Sequence, residues 1–366
     1  MKIICDKYLL SEAVAGVSKA VTNRSSIPIL EGILLKAENG KLTLTGYDLE
    51  MGIITTMECS VPEEGEIVLS AKLLGDMVRR LDTEEIEIDS QENLSTTIRG
   101  GITEFNIMGM NAMDYPEMPA PGADHAVAMK GGVLKEMIDT TLYAVSQDDK
   151  KPAHTGELFS LEHDKLTIVA LDGYRLAICE RPVESNREIR IVIPQKTMSE
   201  VSRLIEDEEA EIEISANRRY VVFSTERYTI MSRLIEGEFL DYKNVLPKEY
   251  KTRVTVSVKD FISSIERASL IITERLKNPL RITFSNKVTV RCQTALGKVV
   301  DELEAKIEGE PIEIGFNNRY LMDALRNSGC EEIVLEMTGP LSPVKVLPPE
   351  GSSFLFLVLP VRFKND

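Results

Sequence analysis

The chain has 366 residues, a length that suggests two or three domains, and 43% of them are hydrophobic, enough for real cores. No stretch approaches the roughly 18–20 apolar residues of a membrane-spanning helix, so a membrane protein of that kind is excluded. With 43 Lys and Arg against 59 Asp and Glu the formal net charge is −16. Nucleic-acid contact therefore requires positive charge gathered on one surface.

In chain order, a helix is expected near Lys7 to Val21, then a strand at Lys41-Leu42-Thr43-Leu44-Thr45, where apolar residues alternate. Leu73, Leu74, Met77, Val78 and Leu81 form the apolar stripe of a second helix, followed by the acidic strand Glu85-Ile86-Glu87-Ile88-Asp89. Tyr115-Pro116-Glu117-Met118-Pro119-Ala120-Pro121-Gly122 breaks regular structure. The same series then repeats. A helix near Lys130 to Ser146 precedes the strand Lys165-Leu166-Thr167-Ile168, and the stripe Met198, Val201, Leu204 and Ile205 precedes Glu211-Ile212-Glu213-Ile214. After a second connection, Asp241 to Arg253 around Pro247, come a helix near Val258 to Ile272 and the strand Lys287-Val288-Thr289-Val290. The stripe Leu321, Met322 and Leu325 and the strand Glu332 to Glu336 complete the third series. Both connections carry an Asp-Tyr pair, Asp114-Tyr115 and Asp241-Tyr242. Four features in register at a period of about 120 residues mark a threefold repeat rather than chance similarity. The fold class is α+β: three repeated domains at 1–120, 127–247 and 252–366, each with two helices packed on antiparallel sheets.

The charge is unevenly divided. Acidic pairs such as Glu63-Glu64, Glu84-Glu85 and Glu208-Glu209 lie on strands and turns, whereas Arg24, Lys72, Arg79, Arg80, Lys135, Lys196, Arg203, Lys259, Arg267, Arg319 and Arg326 lie on or beside helices. Lys72, Lys196 and Arg319 hold the equivalent start of the second helix in each unit. Helices facing inward would give a basic lining inside an acidic exterior, suited to sequence-independent backbone contact. A solvated cationic helix face is the plainer alternative. There is no Trp and no aromatic interleaving, which disfavours a single-strand stacking platform.

Signatures of catalysis are missing. His125, His154 and His163 have no metal-ligand spacing, and there is neither a Gly-x-Ser-x-Gly elbow nor a phosphate-cradling glycine loop. Cys5, Cys59, Cys179, Cys292 and Cys330 are scattered and odd in number, which argues against a zinc site or disulfide framework. The N-terminus Met1-Lys2-Ile3-Ile4-Cys5-Asp6 has no signal-peptide anatomy, so a cytoplasmic protein is expected. No metal and no cofactor are expected. The rivals to a binding subunit are a hydrolase with carboxylates assembled across domains, and a monomeric scaffold of three repeats. Asp172-Gly173 favours a tight turn, with Thr45-Gly46-Tyr47-Asp48-Leu49 at the same place in the first unit. The apolar C-terminus, Phe354 to Phe363, reads as a core strand or as one wall of a pocket for a partner's peptide.

Several segments in order resemble the bacterial DNA sliding clamps, the beta subunit family of the replicative polymerase. They are Ile27-Pro28-Ile29-Leu30, Leu44-Thr45-Gly46-Tyr47-Asp48-Leu49-Glu50, Asp172-Gly173-Tyr174-Arg175-Leu176-Ala177, Phe239-x-Asp241-Tyr242-x-x-Val245-Leu246-Pro247, Ile314-Gly315-Phe316-Asn317 and Leu359-Pro360-Val361-Arg362. The resemblance runs over essentially the whole chain. It implies a non-enzymatic processivity factor: a head-to-tail homodimer forming a six-domain ring that encircles double-stranded DNA and tethers the replicative polymerase. An ATP-dependent loader, a separate protein, would place it on DNA.

The resemblance also implies residue roles. Arg24, Lys72, Arg79 and Lys196 would face DNA. Phe105 and Ile107 would meet Leu270 and Ile271 of a second copy, with Glu302 and Glu304 as acidic partners. A pocket between the second and third domains would take motifs such as Gln-Leu-x-Leu-Phe from the polymerase, the loader and other proteins. Its positions are His154, Leu171, Gly173, Tyr174, Arg175, Leu176, Val245, Leu357, Leu359, Pro360, Val361 and Arg362. His154 stands where the family usually has Leu, Leu171 replaces Thr or Ser, Leu240 replaces a common Pro, Asn244 stands where some members have Arg, and Lys364-Asn365-Asp366 runs past the usual end.

Overall fold

A computed structural model describes all residues except 23–24, 120–125, 186–187, 274–278 and 364–366. Its contacts divide the chain into two compact units that cut across the repeats. Unit one is Met1–Gly132 with Glu200–Leu234, and unit two is Val133–Ser199 with Ile235–Asp366.

Among the described residues six α-helices alternate with strands: α1 (Lys7–Val17), α2 (Ala71–Arg80), α3 (Gly131–Thr141), α4 (Gln195–Leu204), α5 (Val258–Ser269) and α6 (Asn318–Arg326). Each follows a strand directly or after one residue, and the junction residue caps the helix where caps are described. Asp6 accepts a hydrogen bond from the Leu9 N–H at 2.8 Å, and Asn317 accepts from the Arg319 N–H at 2.9 Å. Ser70 and Ser257 do the same for α2 and α5. A side-chain oxygen there satisfies an amide that the first turn leaves unpaired. The expected first helices are shorter than their apolar patterns, because 3₁₀ turns Ser18–Ala20 and Leu142–Ala144 take over after α1 and α3. In α2 the buried face is Ala71, Leu74 and Val78, while Leu73 is 46% exposed. Leu73 neighbours Leu74 in sequence but lies about 100° round the helix from it, so it leaves the expected stripe.

Unit one holds two antiparallel sheets. The first runs Ser60–Glu63, Lys2–Asp6, Glu85–Ser90, Ser95–Gly100, Thr103–Met108. The second has eight strands, four from the middle repeat (Ala126–Lys130, Glu211–Ala216, Tyr220–Ser224, Tyr228–Arg233) and four from the first (Met51–Glu58, Lys41–Tyr47, Gly32–Glu38, Gly65–Ser70). The repeats join where Ile230 pairs with Ile53.

Unit two repeats the plan. Its nine-stranded sheet runs Ile189–Pro194, Gly156–Glu162, Lys165–Leu171, Arg175–Pro182, Phe354–Val358, Val344–Leu347, Glu332–Met337, Thr252–Ser257, Lys306–Gly309. The join is between Arg175–Pro182 and Phe354–Val358, with Leu176 opposite Leu357. A four-stranded sheet runs Gly297–Leu303, Val288–Thr294, Leu280–Phe284, Ile312–Phe316. Its core includes Phe261, Phe284, Phe316 and Phe356, all fully buried. The acidic strands behave differently in the two settings. Glu85–Ser90 alternates exposed and buried positions, but Glu332–Met337 is buried from Ile333 onward, and Glu336 there pairs with Lys345 at 2.5 Å.

Candidate functional site

The strands Lys165–Leu171 and Arg175–Pro182 are linked by a turn that Asp172 builds. Its Oδ1 accepts the backbone N–H groups of Tyr174 at 2.9 Å and Arg175 at 3.0 Å. Gly173 takes a φ of +90°, a conformation that costs a glycine little. The first repeat has the same turn at Asp48, whose Oδ1 accepts from Glu50 and Met51. There the left-handed residue is Leu49, φ +75°.

Next to the turn, Arg175 is held on every side. Its Nε donates to Asp172 Oδ2 at 2.9 Å and its Nη1 to Asp323 Oδ2 at 2.5 Å. The guanidinium lies 4.8 Å from the Tyr320 ring centre and 5.4 Å from that of Tyr143. Tyr174, 61% exposed, stacks on Tyr320 with centroids 5.8 Å apart. The Tyr143 hydroxyl is buried without a partner among the described residues, and that burial pushes it well above the ordinary phenol range.

Beneath the turn, Leu171, Leu176 and Leu357 are buried in one apolar cluster with Leu158, Val169, Phe239 and Tyr242. Tyr174, Val245 and Arg362 are exposed, and Leu359, Pro360 and Val361 are half-buried. The tail after Val358 is pinned twice. Leu359 N–H donates to the Tyr174 carbonyl at 2.9 Å and Val361 N–H to the Gly315 carbonyl at 2.8 Å. A Cβ on Gly315 would come within 2.3 Å of the Val361 carbonyl oxygen, so this approach needs glycine. Phe363 ends the described tail under the Arg281 guanidinium, 4.1 Å from its ring centre.

His154 packs edge to face on Phe239 at 5.6 Å. Burial, with nearby Lys151, pushes its imidazole below the ordinary 6.5, which favours the neutral form. Segments 151–154 and 236–241 enclose a concavity of about 430 Å³ there, with Leu240, 44% exposed, on its wall. Asn244 donates to Asp241 at 2.8 Å. All twelve pocket positions expected from sequence lie in unit two. Sequence reasoning missed Asp323, Tyr320 and Tyr143. Tyr320 and Asp323 follow the Asn317 cap on α6, but no local spacing ties them to Arg175.

The helix-start cations keep their equivalence. Lys72, Lys196 and Arg319 are each the second residue of α2, α4 and α6, and each is exposed. Arg79 pairs with Asp76 at 2.5 Å, and Arg24 lies outside the described residues, as do His125 and the Lys364-Asn365-Asp366 extension. Phe105 and Ile107 are half-buried on the edge strand Thr103–Met108. Leu270, just past α5, is 81% exposed, whereas Ile271 packs against the core. Glu302, on the edge strand Gly297–Leu303, pairs with Lys287 at 3.0 Å, and Glu304 is exposed beyond it. Among the described residues no group of three His, Cys, Asp or Glu could hold a metal ion, and no helix is long and apolar enough to cross a membrane.

Family models for the DNA polymerase III beta subunit match along the chain: the N-terminal domain at residues 1–119, the central domain at 128–241 and the C-terminal domain at 243–362. The beta sliding clamp of Halalkalibacterium halodurans is 35% identical over 379 residues, covering 99% of this chain and 100% of the relative. That of Bacillus subtilis is 32% identical over 380 residues, with the same coverage. The crystal structure of the Bacillus subtilis DNA polymerase sliding clamp superposes with a TM-score of 0.97 at 31% identity, covering 100% of both chains. The Thermotoga maritima DNA polymerase III beta subunit gives 0.93 at 28%, covering 99% of this chain and 100% of that one.

The chain belongs to the DNA polymerase III beta subunit family, the bacterial sliding clamps. Its class is that of a non-enzymatic replication subunit, built as three clamp domains of mixed helix and sheet.

Proposed function

We propose that two copies of this chain close head to tail into a six-domain ring around duplex DNA, and that the ring tethers the replicative polymerase through the pocket at Arg175. The domains run 1–120, 127–247 and 252–366. The protein works in the cytoplasm, is placed on DNA by a separate ATP-driven loader, and holds DNA by topology, with loose phosphate contacts that permit sliding.

One pattern of strand pairing carries this reading. Tyr228–Arg233, the last strand of the middle repeat, pairs with Met51–Glu58 of the first. Phe354–Val358, the last strand of the third, pairs with the equivalent strand of the second, Arg175–Pro182. The equivalents left over are Thr103–Met108 in the first repeat and Gly297–Leu303 in the third, and each is the edge of its sheet. An open edge is a template for another chain. Two complementary edges on one chain form a heterologous contact, which must close or polymerise. Phe105 and Ile107 stand on one edge and Glu302 on the other, with Leu270, Ile271 and Glu304 in the same third repeat. Arg24, Lys72, Arg79 and Lys196 supply the inner cations, sequence-blind because they meet only phosphate. The peptide pocket combines the buried floor Leu171, Leu176 and Leu357 with Tyr174, Arg175, Val245 and the tail Leu359 to Arg362, flanked by Gly173 and His154, and suits short apolar motifs.

Retention on DNA tests the tether. Protein placed on nicked circular DNA by a loader and ATP should stay bound through a sizing column in high salt and be released when the circle is cut. Equal retention on linear and circular DNA, or none on either, would contradict it.

A further inference from the structure

We infer that the concavity between segments 151–154 and 236–241 is an accessory subsite that selects partner segments carrying a lysine or arginine beside their apolar anchor. The inference rests on the pocket reading above and specifies its partner chemistry.

Position ties the concavity to the pocket. Its inner surface is Phe239, 5% exposed, which belongs to the same apolar cluster as Leu171, Leu176 and Leu357. A partner segment seated on that floor would therefore run past this opening. The volume, about 430 Å³, accommodates a long side chain.

Charge then decides which side chain. The exposed carboxylates of Glu236, Glu238 and Asp241 line it against one ammonium, Lys151. Burial disfavours a positive charge on His154. Among the described residues neither Glu236 nor Glu238 has a cation within ion-pair distance, and Asp241 meets only the Asn244 amide. The site thus joins an apolar wall, Phe239 and Leu240, to a rim with unbalanced negative charge. A lysine or arginine fits both parts, because its methylene stem lies on apolar surface while its charged end reaches polar surroundings. An acidic side chain at that place would be repelled, which discriminates among partners that share the same apolar motif.

The test is anisotropy titration of three labelled peptides at low salt: Gln-Leu-Ser-Leu-Phe alone, the same core with two lysines on either flank, and the core with two glutamates there. The quantity read is the ratio of affinities within one protein. The expected result is that lysines on one flank tighten binding about 3- to 5-fold, glutamates weaken it, and Glu236→Gln with Glu238→Gln removes most of that ratio. An equal charge removal in the first repeat, Glu64→Gln with Glu92→Gln, should leave the ratio intact. If the core binds but lysines bring no gain, or the gain survives in the Glu236→Gln, Glu238→Gln protein, the subsite is refuted while the pocket stands. If no peptide binds, the pocket reading fails and takes the subsite with it.

Discussion

Arg175 and Asp323 lie 148 positions apart in sequence, yet the guanidinium Nη1 donates to the carboxylate at 2.5 Å, tying the turn after Lys165–Leu171 to helix α6. Asp172 holds the other side of the same guanidinium, whose side chain is only 14% exposed. Two carboxylates and two rings thus fix one cation in a single orientation. The side chain is already ordered within the chain, so a partner binding at the proposed pocket would not need to order it.

In the proposed pocket, that arrangement would make Asp323 a positioning residue. Asp323→Asn should weaken binding of the Gln-Leu-Ser-Leu-Phe peptide by about 5- to 20-fold, and Arg175→Ala should weaken it at least as much. Combined, the two should cost little more than Arg175→Ala alone, a coupling of about 1–2 kcal/mol in a double-mutant cycle. Strict additivity would show that Asp323 acts independently of Arg175.

Glu157 is fully buried, its Oε1 accepts from the Thr141 hydroxyl at 2.6 Å, and its Oε2 has no partner among the described residues. Burial pushes its carboxyl up from 4.5 to about 8. A raised carboxyl pKa means that the unfolded chain releases this proton near 4.5 and the folded chain only near 8. The contribution to stability is therefore full below 4.5, falls as pH rises to about 8, and is level above that. Glu157→Gln should flatten the decline and stabilise the protein at pH 8 by about 1–3 kcal/mol. Urea unfolding at pH 5, 7 and 9 checks this, and parallel curves for the two proteins would contradict it.

The paired turns at Asp48 and Asp172 predict opposite effects of opposite substitutions. A Cβ at Gly173 meets nothing within 4 Å, so Gly173→Ala costs only backbone strain, about 1 kcal/mol. Leu49, 41% exposed, already bears that strain, so Leu49→Gly should be neutral or stabilising by about 0.5 kcal/mol. Thermal melts of both variants check the pair.

Lys72, Lys196 and Arg319 should act together. Replacing all three with Ala should reduce the slope of log affinity for short duplex DNA against log salt by up to about 2.7, at ~0.9 per phosphate contact. An unchanged slope would assign these cations to a solvated helix face.

Periodic features are legible in the sequence because they are local. The alternation in Glu85–Ser90 and the Leu74–Val78 spacing each follow from one element's geometry, and the repeat alone makes Lys72, Lys196 and Arg319 equivalent. What the sequence hides is long-range. Arg175 stands out within its own motif, but its partners Asp323, Tyr320 and Tyr143 come from other elements, and no short motif spells their meeting. Leu171, Leu176 and Leu357 read as pocket positions from the family resemblance, but that all three are buried in one apolar cluster follows from Leu176 pairing with Leu171 on one side and Leu357 on the other. The compact units also cross the repeats, because sheets continue from one repeat into the next while sequence periodicity marks only the repeats themselves.

Closure by the two open edges is the central claim, and sedimentation velocity tests it most directly. At micromolar concentration the protein should run as one species of twice the 40.9 kDa chain mass, and Phe105→Arg, which puts a charge on the edge strand Thr103–Met108, should run as a single chain with its fold intact. A wild-type protein that stays at one chain's mass, or that forms a ladder of growing oligomers, would contradict closure into a ring of two.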